Sequence, residues 1–353
     1  MKRPASPHVS RAQLFAVLCV LCLLGAAGYT TLALLRAESA GRQAPSAATG
    51  DPAVLASVAR EPHVLFVSTA VGETYGKIAL VPLTAPDGPR YATALACERV
   101  YFAGGAGFCL GYNTIGGILS SYSAYAFDDR FAPVQPFQQG GIPSRVRISP
   151  DGRYAATTVF VTGHSYMESG FSTQTQLIDL RTGEVLADLE QFTVWRDGAV
   201  FQAVDFNFWG VTFTPDGDRF YATLASGGKT YLVEGDLAAR QARVLRENVE
   251  CPSLSPDGTR LAFKKRVEVG GRFEWRLHLL DLATLMETPL VAETRSIDDQ
   301  VEWLDDAHLL YAFGEDGLHR TAATNIWVLA VDEGSPPRVF IPQGYSPAVV
   351  RAR

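Results

Sequence analysis

Gly163-His164-Ser165-Tyr166-Met167 copies most of the G-x-S-x-G elbow that presents a nucleophilic serine. Its fifth position is Met, and Glu168-Ser169-Gly170-Phe171-Ser172-Thr173 after it forms no helix of the kind the elbow needs. Ser165 therefore reads as a loop residue. Gly227-Gly228-Lys229-Thr230 copies the end of a phosphate-binding loop, but position 223, where the first glycine belongs, is Thr. Strand-like sequence flanks both sides, so the glycine pair reads as a hairpin turn. Gly104-Gly105-Ala106-Gly107 is likewise a turn, with no βαβ unit around it. His8, His63, His164, His278, His308 and His319 include no pair two or four residues apart, the local spacing of a metal pair. No metal, no cofactor and no catalytic set is expected.

Aspartates recur in a more telling way. Ser149-Pro150-Asp151-Gly152, Thr214-Pro215-Asp216-Gly217 and Ser255-Pro256-Asp257-Gly258 write one turn three times, each followed by an alternating apolar strand. Leu304-Asp305-Asp306-Ala307 is a decayed fourth copy. Proline fixes φ at the second turn residue, Asp bonds back to the backbone, and Gly takes the positive φ that ends the turn. Asp151, Asp216 and Asp257 are thus turn formers rather than calcium ligands or catalytic acids, since they fall on different repeats. Successive copies lie 65, 41 and 49 residues apart. Repeats of that length made of short strands and tight turns specify a β-propeller.

Strand candidates fall into six groups, beginning near His63, Arg99, Ser144, Gly210, Ser253 and Gln300. The first group lacks an innermost strand, and Tyr345–Val350 supplies it, closing the ring and leaving no free sheet edge there. The longest gap requires an insertion over Phe192–Phe208. With Trp209 this is the most aromatic stretch, carrying Phe192, Trp195, Phe201, Phe206 and Phe208. Aligning the inner strands on their turns places Arg145, Trp209, Glu250, Asp298, Asp299 and Gln300 around one mouth of the central channel. That ring of mixed charge with one aromatic is the candidate binding site. The plainer expectation is that its members satisfy one another or face water.

Leu14 to Leu35 is a stretch of 22 residues without a charge. As a helix it reaches about 33 Å, enough to cross a bilayer core. Lys2, Arg3 and Arg11 before it put the N-terminus in the cytoplasm and the large domain outside. The rival is a cleaved signal peptide, with Gly25-Ala26-Ala27 as the cleavage site; the apolar run exceeds the usual length of such a segment. The expected organisation is a cytoplasmic N-terminus (1–13), a membrane helix (14–35), a flexible Ala/Ser/Gly/Pro-rich stalk (36–60) and a propeller (61–353). Five of the 31 basic and one of the 37 acidic residues precede Asp51, which leaves a net −10 beyond it. A body that acidic excludes nucleic acid as a natural partner.

Cys19 and Cys22 sit in the apolar helix. Cys97 and Cys109 flank a hairpin with a glycine turn, which brings them across from each other either as a disulfide or as two buried thiols. Cys251 is left over.

The S/T-P-D-G turn and strand, followed by hydrophobic-Asp-Leu as in Leu177-Ile178-Asp179-Leu180 and Leu279-Leu280-Asp281-Leu282, resembles the repeat of TolB-like six-bladed propellers. The resemblance covers roughly Pro62 to Val350. With its N-terminal helix the chain looks like the TolB-like signal-anchor proteins of high-GC Gram-positive bacteria. The resemblance implies an all-β, six-bladed propeller acting as a non-catalytic protein-interaction platform outside the cytoplasmic membrane. Periplasmic TolB carries a separate N-terminal α/β domain where this chain has only a stalk, so its role in an outer-membrane complex is not implied. Two functions are expected from this: a membrane-anchored platform for a protein or cell-envelope partner, or a propeller enzyme acting on envelope glycan through mouth carboxylates such as Glu250 and Asp299.

Overall fold

The structure, a computed structural model, describes residues 10–43, 47–49, 52–115, 118–168, 170–314, 321, 323–332 and 334–351. His8, His319, Ser169 and residues 1–9 of the segment expected to be cytoplasmic lie outside them. The chain divides into two units, residues 1–44 and 45–353.

The first unit is one helix, Arg11–Gln43. Its segment Arg11–Leu32 has a mean hydropathy of 2.1 and buries nothing against protein, so it is long and apolar enough to cross a membrane.

The second unit is a ring of six sheets, antiparallel except for one added parallel pair each on the first and fourth. Blade 1 holds His63–Ser68, Lys77–Pro82 and Arg90–Ala96, with Gly344–Val350 as its innermost strand. His63 pairs with Val350 and Ser68 with Gly344, so the end of the chain closes the ring as the sequence implies. Blade 2 runs outward from Arg99–Ala103 and blade 3 from Ile142–Ile148. Blade 4 runs from Asn207–Phe213, blade 5 from Glu250–Leu254 and blade 6 from Glu302–Asp305. Each blade buries both faces, which is why His63–Ser68 is buried along its whole length instead of alternating. Six apolar clusters fill the six spaces between neighbouring blades.

Three expectations need correction. The stalk is not free over 36–60: the first helix runs on to Gln43, Ala47–Thr49 adds a parallel edge strand to blade 1, and Pro52–Val58 is a second helix. Leu55, Val58 and Ala59 recur at helical spacing and pack on the core between blades 1 and 2. The propeller unit therefore begins before residue 61. Within the insertion, Phe208 and Trp209 belong to the inner strand of blade 4. The inserted part proper is a hairpin, Thr193–Arg196 with Ala199–Phe201, that extends blade 4 to six strands by pairing parallel with Gln241–Glu247.

The repeated turns work as their residues dictate. Ser149 Oγ donates to Asp151 Oδ1 (2.6 Å), which also accepts Arg153 N (3.0 Å), while Tyr154 N donates to Ser149 Oγ (2.9 Å). Thr214 with Asp216 and Ser255 with Asp257 repeat the arrangement. The turns also tile against one another around one end of the ring. Asp257 N donates to Asp306 Oδ1 (3.0 Å) on the next blade. Gly104 lies so close to the Asp151-Gly152 turn that a Cβ on it would stand 2.2 Å from Gly152 N.

Candidate functional site

The central channel has two ends, one where the inner strands start and one where they enter the repeated turns. The expected ring maps to the first. Arg145, Trp209 and Glu250 sit on inner strands of blades 3, 4 and 5, and Asp298, Asp299 and Gln300 precede that of blade 6.

Their charges are matched there. Arg145 Nη2 lies 3.6 Å from Asp298 Oδ1, which also takes Lys264 Nζ at 2.6 Å. Asp299 Oδ1 accepts from Arg99 Nη1 (3.1 Å) and its Oδ2 from Ala312 N (2.9 Å). Glu250, 0% exposed, has Arg266 Nε 2.5 Å from its Oε1. Burial holds the Glu250 carboxyl above its ordinary range, with Lys264 and Arg266 pulling the other way. Burial opposes the charge of Arg145, yet Cys251, Tyr166, Asp298 and Asp299 around it raise its pKa well above the ordinary guanidinium value. Gln300 Nε2 bridges Val211 O (3.0 Å) and Pro252 O (2.9 Å), tying blades 4, 5 and 6 together.

Trp209 does not face solvent. It is fully buried, stacked on Tyr166 with ring centroids 4.7 Å apart and edge-on to Phe171 at 5.4 Å. Phe160, Cys251 and Trp275 complete this cluster. Tyr166 comes from the Gly163–Phe171 loop, where its hydroxyl shares a hydrogen bond with Ser144 Oγ (2.5 Å) and its carbonyl accepts from Arg266 Nη2 (2.9 Å). Lys264 Nζ stands 4.2 Å from the Trp275 ring and 5.4 Å from that of Tyr166, a cation–π contact inside a buried cluster. The space among Arg99, Arg145, Asp299 and Gln300 is about 20 Å³, close to the room one water needs. The loop that mimics a nucleophile elbow is a plug, and Ser165 is part of its turn, with its Oγ accepting Met167 N (3.2 Å).

The other end is open. A cleft of about 620 Å³, lined by Arg60, Glu61, His63, Phe102, Asp129 and Phe131 among others, leads past Tyr101, Ile148, Pro150 and Arg351 into an inner space of about 270 Å³. The inner space is floored by Tyr101, Arg147 and Glu302, with Thr212 and Ser253 beside them. Tyr101 OH donates to Glu302 (3.1 Å), Arg147 is ion-paired with the same carboxylate, and Arg147 Nη2 donates to Val301 O (2.6 Å). Burial, then Glu302, pushes the Tyr101 phenol up to about 12. The rim carries Pro150, Pro215 and Pro256, the prolines of all three repeated turns.

Sequence reasoning missed these residues although a signal existed. Alternate residues of an inner strand face the channel. Two positions beyond Arg99, Arg145, Gly210, Cys251 and Gln300 stand Tyr101, Arg147, Thr212, Ser253 and Glu302. The plug residue Tyr166 and the partners Lys264 and Arg266 come from outside the inner strands, so the alignment that found the ring could not reach them. Cys97 and Cys109, which join the strand-start ends of blades 1 and 2, have their sulfurs bonded at 2.00 Å.

No protein-family model matches the sequence, and no curated protein matches it either. Solved structures do. TolB from Acinetobacter baumannii superposes with a TM-score of 0.56 at 15% identity, over 82% of this chain and 66% of that one, so under two thirds of its length. A chain of a nidogen–laminin complex gives 0.53 at 14% identity, over 83% of this chain and 99% of that one. At such identities the likeness is one of fold: the chain carries a six-bladed β-propeller of the kind found in TolB.

Proposed function

We propose that this protein is a non-catalytic binding platform, held outside the cytoplasm by its N-terminal helix, that receives a protein or cell-envelope partner on the face of the repeated turns. The observation that carries this reading is the contrast in use of charged groups. The carboxylates that an enzyme would need at the strand-start mouth, Glu250 and Asp299, are buried against cations, Glu250 within blade 5 and Asp299 across to blade 2. The roomy cleft instead presents rigid turn backbone, two phenylalanines and charges of both signs, a surface suited to recognition. One fold neighbour belongs to a two-protein complex, in keeping with this.

The test is site-specific photocrosslinking in intact cells with the helix retained, the probe placed at Asp129 in the cleft or at Glu268 on blade 5. A single recurrent adduct from position 129, absent from 268 and lost on Arg60→Glu, supports the platform. Hydrolysis or elimination in an envelope-glycan panel, abolished by Glu250→Gln in a protein that still folds, transfers the assignment to the enzyme reading. Labelling of cysteines placed at positions 5 and 129 checks the orientation: only the second should react with an impermeant reagent.

A further inference from the structure

The inner space at the turn end has an unbalanced charge. Arg147 and Glu302 cancel, whereas Arg351, among the described residues, meets only the carbonyls of Trp303 (2.8 Å) and Leu304 (3.2 Å). The lining therefore carries one net positive charge in a space walled by three prolines, Ile148, Phe213 and Trp303. An exposed guanidinium beside apolar walls is suited to a charge-assisted, bidentate pair with a carboxylate. Independently, Arg147 is only 6% exposed, and its Nε has no hydrogen-bond partner among the described residues. A buried donor left open is costly unless a ligand or water fills it. The Trp303 indole N–H is already used by Ser253 O (2.9 Å), so the ring offers an apolar surface rather than a donor.

We propose that this end of the channel binds a monocarboxylate with an apolar body, its carboxylate between Arg147 and Arg351 and its body against the collar of Pro150, Pro215 and Pro256. The volume, about 270 Å³, lies just below the usual range of small-molecule sites, which start near roughly 300 Å³, so one compact acid fits. Entry is from the wider cleft, with which the site shares Tyr101 and Arg351. The acid is either a free small molecule or the C-terminus of a peptide; both present the same group. The site stands apart from the platform reading, since a partner on the outer cleft neither requires nor supplies this acid.

The test uses the full-length chain in detergent, titrated calorimetrically with 3-phenylpropionate and its amide, and with acetyl-Ala-Pro-Phe as acid and as C-terminal amide. At least one acid is expected to bind, with its amide at least tenfold weaker. Arg351→Gln, an exposed position whose fold is checked by melting, should weaken the acid at least tenfold, and Arg272→Gln, exposed on blade 5 away from both spaces, should leave it unchanged. Binding of the small acid alone assigns a free ligand, and binding of the peptide acid assigns a chain terminus; both uphold the site. Silence from both acids, equal binding of acid and amide, or full affinity in Arg351→Gln overturns it.

Discussion

The same six inner strands build both ends of the channel, and they build them to different ends. Where the strands start, every acid of the expected ring faces a cation, an aromatic cluster lies against them, and a loop from blade 3 fills what room is left. Where the strands turn, three prolines and Arg351 border open space. The strand-start end thus joins blades 2 to 6, while the turn end is rigid for a local reason, the hydroxyl–carboxylate–amide cycle inside each turn. One end is cohesive through long-range contacts; the other is shaped by short-range ones and stays free to bind.

Substitutions should therefore cost stability unequally. Trp209→Ala removes the indole on which Tyr166 and Phe171 pack, and leaves a cavity where three blades meet. A loss of about 3–5 kcal/mol is expected. Pro256→Ala at the collar gives up only some unfolded-state restriction, about 1 kcal/mol or less. Urea unfolding of the full chain measures both, and equal losses would erase the proposed division.

The ion pairs sharpen the same contrast. Asp299→Ala strands the Arg99 guanidinium, 11% exposed, and removes the acceptor for Ala312 N–H. That should cost about 3 kcal/mol. Arg351→Gln, with no carboxylate partner among the described residues, should change stability by about 0.5 kcal/mol at most. Comparable losses at the two positions would mean that Arg351 is structural and that the turn end is not spare.

Much of this architecture was readable beforehand, for reasons that also mark the limit. Three copies of one turn and a decayed fourth fix where inner strands end, so counting backward places Arg145, Cys251 and Gln300 at one level, with Glu250 one position before. The ring closure followed from a first group short of a strand and a last strand short of a group. The plug did not, because nothing periodic in Gly163–Phe171 states where the loop lands; its destination depends on Trp209 and Arg266 from other blades. The proline collar was hidden for the opposite reason. Each proline was fully explained by its own turn, and only the ring brings Pro150, Pro215 and Pro256 to one opening.

The link between Cys97 and Cys109 belongs to the cohesive end, since it ties the last strand of blade 1 to blade 2. Closing a loop of 12 residues, it should contribute about 2–3 kcal/mol. Melting of Cys97→Ser with and without reductant checks this: the wild type should fall on reduction and the variant should not. Alkylation of Cys97 in the unreduced, denatured wild type would show two thiols instead, and the cohesion would then rest on packing alone.

The smallest effect expected separates the two ends by sign. At the turns, the Thr214 hydroxyl on Asp216 and the Ser255 hydroxyl on Asp257 hold both carboxyls below their ordinary 3.8. A depressed folded pKa contributes stability above the unfolded value and loses it as pH falls through the folded one. Asp216→Asn and Asp257→Asn should therefore trail the wild type most above pH 3.8 and draw level as acid is added below it. Glu250 runs the other way. Burial raises its carboxyl above 4.5, so its contribution is complete below that pH and is lost as pH rises through the folded value. Measured against Glu250→Gln, the wild type should lose ground with rising pH, whatever the offset between them at the start. Melting temperatures taken from pH 3 upward give both differences in one experiment. Opposite slopes fit an end of the channel that shuts water out and one that meets it, whereas slopes of one sign would mean that both ends share a single environment.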